Sequence, residues 1–234
     1  MVRIVKEAEV RREELLELSL DLFMSVGYER TSVERITRQA DVAKGTFYHY
    51  FTSKHDLLEQ LVDSYAEQLF AHLESRLAQV HGDALVRLRS FSQLATSWKL
   101  ERADESAAFG RMLYAPENLV LRHNLYSTWL ERTRPLLAAI IAQGVAERIF
   151  TVADPSATAG VILSLWYDWG DRAAESLFAA GFRVEDARAV AVELQAGTRA
   201  QERILGVAEG ALEPSVDIEA YLVGLAQPAV KERA

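Results

Sequence analysis

Residues 30–54 read RTSVERITRQADVAKGTFYHYFTSK, two short helical runs divided by a four-residue break. Val33, Ile36 and Ala40 recur at helical spacing, and Thr31 or Ser32 stands where a hydroxyl can cap the first free amides. A first short helix is therefore expected from about Ser32. Thr31 with Glu34 also has capping-box spacing. The break Ala40-Asp41-Val42-Ala43 is short, and helical character resumes from Lys44 to Tyr50, which is helix-turn-helix spacing.

The second short helix concentrates groups suited to a nucleic acid. Lys44, Gly45, Thr46, Tyr48, His49, Tyr50 and Lys54 bring cations, hydroxyls, an imidazole and a bare backbone into about two turns. Phosphate oxygens and base edges are recognised by groups of this kind. Phe47 and Phe51, four apart, are expected to anchor the opposite side in a core. A solvated hairpin fills such exposed positions with flexible charged residues instead.

With these residues in view, GYERTSVERITRQADVAKGTFYHYFTSKHDLL resembles the N-terminal domain of TetR-type (tetracycline-repressor-like) transcriptional regulators, over roughly Val10 to Leu61. The resemblance implies that Lys44 to Tyr50 enter the major groove, with Thr46, Tyr48, His49, Tyr50 and Lys54 against the operator. Ser32 matches a position that holds a phosphate at a helix N-terminus, where the helix dipole favours an anion. Glu34 departs from the basic or polar residue frequent at its position. It either accepts from a cytosine amino group or is a solvated acid.

The chain has 234 residues, half of them apolar, and can bury one or two cores. It has no cysteine, which excludes disulfides, a thiol nucleophile and cysteine-ligated metal. The opening MVRIVKEAEVRREELL lacks the apolar core of a signal peptide, no run approaches a membrane span, and a cytoplasmic location without a membrane partner is expected. The net charge of −8 argues against a general polyanion binder, yet residues 28–55 hold five Lys or Arg against three acids. Beyond residue 60 stand 17 basic and 23 acidic residues, so the acidic excess lies mostly outside the head. Binding then rests on fitted contacts from two symmetry-related heads.

The rest reads as helix throughout, and the fold class is all-α: a three-helix helix-turn-helix domain at 1–55, then a larger helical ligand-binding and dimerisation domain at 56–234. A first helix is expected from about Ala8 to Val26, closed by Gly27. A long one capped by Ser53 runs to about Gln79 and is the natural lever between the domains. Further helices are expected from Asp83 to Leu100 and from Asp104 to Tyr114, and from Pro116 to Arg148 with a kink at Pro135. Two more run from Pro155 to Ala180, closed by Gly181, and from Val184 to about Val207, before Gly210 and Pro214. A short piece carrying Ile218, Leu222 and Leu225 ends the fold, and the terminal PAVKERA is expected to fray.

The stretch PLLAAIIAQGVAERIFTVADPSATAGVILSLW, ending at Trp166, also resembles the C-terminal half of TetR-like regulators. The helices over about 155–207 are rich in Ala, Gly and Val, which lets helices approach closely. They serve either an intramolecular bundle or a four-helix homodimer interface. Two heads reading half-sites about one DNA turn, ~34 Å, apart require the dimer.

All four tryptophans lie beyond the head. Trp98, Phe109, Met112, Trp129, Trp166, Asp168 and Trp169 form a candidate ligand-binding set, with packing as the alternative for each aromatic. A neutral aromatic or fatty effector suits them. Asp168 among indoles instead favours a cation, and Arg111 a carboxylate. No enzyme is expected: His49 and His55 are poorly spaced for metal, no glycine-rich phosphate loop follows a strand, and no nucleophile has a positioned base. No cofactor is expected either. The partners read from the chain are a double-stranded DNA operator, a small-molecule effector and a second copy. Together these describe a ligand-responsive repressor released from a palindromic operator, the alternative being a helical binding or scaffold protein with a degenerate DNA head.

Overall fold

A computed structural model describes residues 2–178, 184–213 and 217–226. Among them every regular element is a helix and no strand occurs. The chain divides into two compact units, Met1–Glu67 and Gln68–Ala234.

The first unit is the head. α1 spans Val2–Val26, beginning earlier than the apolar periodicity indicates, and α2 spans Val33–Gln39. α3 is Lys44–Tyr50, and α4, Lys54–Leu77, begins in this unit and runs into the next. α2 packs between α1 and α3. Leu15, Leu22, Phe23, Ile36, Phe47, Phe51, Leu57 and Leu58 close the core, all at most 4% exposed. Fully burying a side chain of this size stabilises by about 1.5–3 kcal/mol, so one core serves all four helices.

The connections follow local chemistry. Gly27 ends α1 at φ 94°, a left-handed conformation that side chains with a Cβ resist. Ser32 is the cap of α2, its Oγ accepting from the Arg35 amide at 3.2 Å. Thr31 is fully buried and donates to the Gly27 carbonyl at 2.9 Å, so the Thr31–Glu34 box does not form. Asp41 turns the chain between α2 and α3 at φ 51°, where Asp is among the residues better tolerated. Ser53 caps α4 by accepting from the Asp56 amide at 3.0 Å. Asp56 answers by accepting from the Thr52 amide and hydroxyl, at 2.6 and 2.9 Å.

In the second unit, α5 is Ala84–Glu101, α6 Ala103–Leu113, α7 Leu119–Ala146, α8 Pro155–Phe178, α9 Val184–Leu205 and α10 Ile218–Ala226. Asp83 caps α5, and the Asp154 carboxylate accepts from two amides at the start of α8. Pro116 opens a separate 3-10 turn, Pro116–Asn118, ahead of α7 rather than α7 itself. Pro135 lies inside α7, which continues across it. α7 packs against α5 and α8, α8 against α9, and α10 against α6, α8 and α9. The main core joins Leu77, Leu88, Phe91, Leu137, Ile140, Ile141, Phe150, Ile162, Leu163 and Leu205. Gly181, Pro214 and the terminal PAVKERA lie outside the described residues.

Candidate functional site

α3 is seven residues long and puts two kinds of chemistry on two sides. Phe47 is fully buried, and Phe51, just past the helix end, lies 5.3 Å from it between ring centroids. Lys44, Gly45, Tyr48 and His49 are exposed, with Thr46 and Tyr50 half-buried beside them. Tyr48 keeps 49% of its surface open. A Cβ on Gly45 meets nothing within 4 Å, so no packing in the head requires a glycine there. Glycine inside a helix costs about 1 kcal/mol against alanine, and no contact at the Gly45 Cβ position offsets that cost.

Ser32 is exposed at the start of α2, where it fills its capping role and borders free amides. Lys44 is paired with the Glu34 carboxylate across the two helices. The hydrogen bond from Lys44 holds the Glu34 carboxyl below the usual range, and the same bond raises the Lys44 ammonium. Lys54 has a fixed position as well. Its Nζ donates to the Tyr28 carbonyl at 3.0 Å and stands 4.0 Å from the Tyr28 ring centroid, tying the start of α4 to the turn after α1. The structure thus brings Ser32, Lys44, Gly45, Thr46, Tyr48, His49 and Tyr50 to one region of the head. Lys54 acts there partly as a brace. Neither ion contact has a local sequence signal.

The aromatic set of the second unit is dispersed. Trp98, Phe109 and Met112 are 5% exposed or less. Trp129 and Trp166 flank the main core, Trp166 stacking on Phe91 at 5.7 Å. Trp169 covers Gly197 of α9. Asp168 is exposed and pairs with Arg172 at 2.7 Å. A cavity of about 360 Å³ lies along α9 between Arg188 and Glu219, and none of these residues lines it.

Two features here escaped the sequence reading. Tyr114 donates to Asp171 at 2.9 Å, Arg122 reaches both Asp171 and Glu175, and its guanidinium lies 4.4 Å from the Tyr114 ring centroid. Burial, with the acceptor Asp171 second, pushes the Tyr114 hydroxyl above its ordinary value, and burial does the same to Tyr126. The carboxylate brought among aromatic rings is therefore Asp171. Second, burial holds the Lys99 ammonium on α5 below the usual lysine range although part of the side chain reaches solvent, and among the described residues no carboxylate pairs with it. No group of three or more His, Cys, Asp or Glu that can hold a metal ion occurs among the described residues. No described helix is long and apolar enough to cross a membrane.

The class defined by this fold and surface is an all-helical protein with an N-terminal helix-turn-helix head. Residues 15–61, the head, match the family described as bacterial regulatory proteins, tetR family. It is 33% identical over 76 residues to the HTH-type transcriptional regulator BetI of Vibrio campbellii, spanning 32% of this chain and 38% of that protein. It is 29% identical over 177 residues to the HTH-type transcriptional regulator TcmR of Streptomyces glaucescens, spanning 71% and 77%. A TetR-family regulator from Pectobacterium atrosepticum shares the fold at a TM-score of 0.62 and 21% identity, over 84% of this chain and 96% of the other.

Proposed function

We propose that the protein is a ligand-responsive DNA-binding transcriptional repressor that works as a homodimer. The observation that carries this reading is the outward side of α3, where Lys44, Gly45, Tyr48 and His49 are open to solvent while Phe47 anchors the helix from behind. A helix held so by one core residue, with an unneeded glycine facing outward, fits a major groove. Ser32 holds a phosphate at the start of α2, and Lys54 offers its remaining N–H groups to a second one.

Dimerisation through α8 and α9 is supported by their exposed stripes. Ala157, Val161, Ser164, Asp168 and Arg172 share the open side of α8, and Val192 on α9 is 61% exposed. Small side chains at such positions allow close helix approach. A small apolar or aromatic effector near Trp129 and Trp166 shifts α4, whose first turns are part of the head unit and whose last turns join the second. A preference for the released state of about 1–3 kcal/mol per site is the usual scale of such coupling. Trp129→Ala or Trp166→Ala then impairs induction while dimer and operator affinity persist.

The deciding experiment is selection from random duplex DNA by the purified chain at near-physiological salt, with sequencing of the bound pool. A palindrome with half-sites about one turn, ~34 Å, apart is the expected outcome. No enrichment by folded, effector-free protein refutes it in favour of a helical binding protein without DNA reading.

A further inference from the structure

Glu34 sits in the first turn of α2, two residues from the phosphate-facing Ser32, and its carboxylate reaches across to the first residue of α3. Both side chains of the Glu34–Lys44 pair are more than half exposed, so the pair stands on the surface assigned above to DNA rather than beneath it. An exposed pair of this kind contributes little to holding a fold together, because solvent screens it and two long side chains lose freedom in making it. Its effect on a polyanion is larger. A lysine already neutralised by a carboxylate releases no net counterion from DNA, and the carboxylate itself is repelled by every phosphate.

We propose that Glu34 is a specificity-determining residue, one that withholds Lys44 from phosphates in general and yields it only to a fitted site. The first residues of a recognition helix are those that meet base edges, and a lysine there finds its best acceptors in guanine O6 and N7. On random sequence the ammonium stays with Glu34. On a site presenting guanine at the right position it exchanges one acceptor for two. The pair thereby lowers nonspecific affinity more than specific affinity and widens the ratio between them. This inference rests on the DNA-reading function proposed above.

The test uses the full chain and four proteins: the unaltered chain, Glu34→Gln, Lys44→Gln and the double variant. Binding is measured to a random-sequence duplex from about 0.05 to 0.3 M salt, and thermal melting verifies that each variant is folded. Glu34→Gln is expected to steepen the plot of log affinity against log salt by about 0.9 per head. Taking affinities as converging near 1 M salt, that is about fivefold tighter nonspecific binding per head at 0.15 M, and roughly 30-fold for two heads. Lys44→Gln is expected to cost more in the Glu34→Gln background than in the unaltered chain, since only there is Lys44 free. A selected operator, measured alongside, is expected to gain less than the random duplex.

An unchanged salt slope for Glu34→Gln, or a Lys44→Gln effect equal in both backgrounds, overturns the proposal. Weaker binding by a Glu34→Gln variant of unaltered melting temperature also overturns it, because the carboxylate is then an acceptor for DNA. Failure of all four proteins to bind any duplex even at low salt removes the DNA reading itself.

Discussion

Trp169 and Gly197 offer a direct test of whether an aromatic of the second unit is packing or pocket. The indole lies so close over Gly197 that a Cβ there stands 2.2 Å from the ring, well inside any real contact. Gly197→Ala must push the ring aside, and overpacking of this sort costs about 1–3 kcal/mol. Trp169→Ala removes the ring instead. A fully buried Trp→Ala substitution costs about 3–5 kcal/mol, and the partial burial of Trp169 brings this to roughly 2 kcal/mol. For a chain of this length each kcal/mol moves the melting temperature by about 2–4 °C, so Trp169→Ala melts roughly 4–8 °C lower and Gly197→Ala roughly 2–12 °C lower. The double variant decides the matter. With the indole gone the new methyl group has space, so the double costs less than the two singles together by at least about 0.5 kcal/mol, a coupling expected only for residues in contact. Calorimetry on all four proteins measures it. Costs that add within about 0.3 kcal/mol refute the packing role and return Trp169 to the candidate pocket residues.

Ser32→Ala removes the hydroxyl that accepts from Arg35, and costs the head about 1 kcal/mol, read by thermal melting, together with operator affinity. Lys54→Ala breaks the tie to the Tyr28 carbonyl and ring, lowering stability by about 1–2 kcal/mol, and flattens the salt dependence of operator binding by about 0.9 per head; an unchanged slope confines Lys54 to bracing. Lys99→Met, keeping the length without the charge, raises the melting temperature by a few degrees at pH 7. Because the folded ammonium titrates below 10.5, the unfolded chain binds more protons between the two values, and the unaltered chain recovers its deficit as pH rises toward 10.5. A melting difference that does not narrow over that range contradicts an unpaired charge at Lys99.

The helix-turn-helix was legible because every signal for it is local. The Ile36 and Phe47 spacing, the Ser32 cap, the four-residue break and the Phe51 anchor all act within a few residues of chain. The helices of the second unit were readable for the same reason, through Asp83 and Asp154 caps and apolar periodicity. What escaped is non-local or decided by competition. Thr31 and Ser32 are equally good caps on paper, and burial of Thr31 against Gly27 selects Ser32. Glu34–Lys44 spans ten residues and Lys54–Tyr28 twenty-six, beyond any helical period. Asp168–Arg172 is an i,i+4 pair that spacing anticipates, whereas Asp171 finds Tyr114 fifty-seven residues away. The start of α1 at Val2 has no apolar stripe to announce it.

Within the head, Arg12 of α1 donates to Gln60, Gln60 donates to Asp56, and Asp56 accepts from the backbone of Thr52, two residues past the last residue of α3. These bonds string three polar side chains from the first helix to the exit of the recognition helix. Rotation of α4 about its axis carries Gln60 and Asp56 with it and draws on the Thr52 amide as well as on the packing of the buried Leu57 and Leu58. That amide is consequently a gauge: its rate of hydrogen exchange rises when the string slackens. Hydrogen exchange at Thr52 therefore tests, in solution and with no DNA present, whether the proposed effector acts on the head.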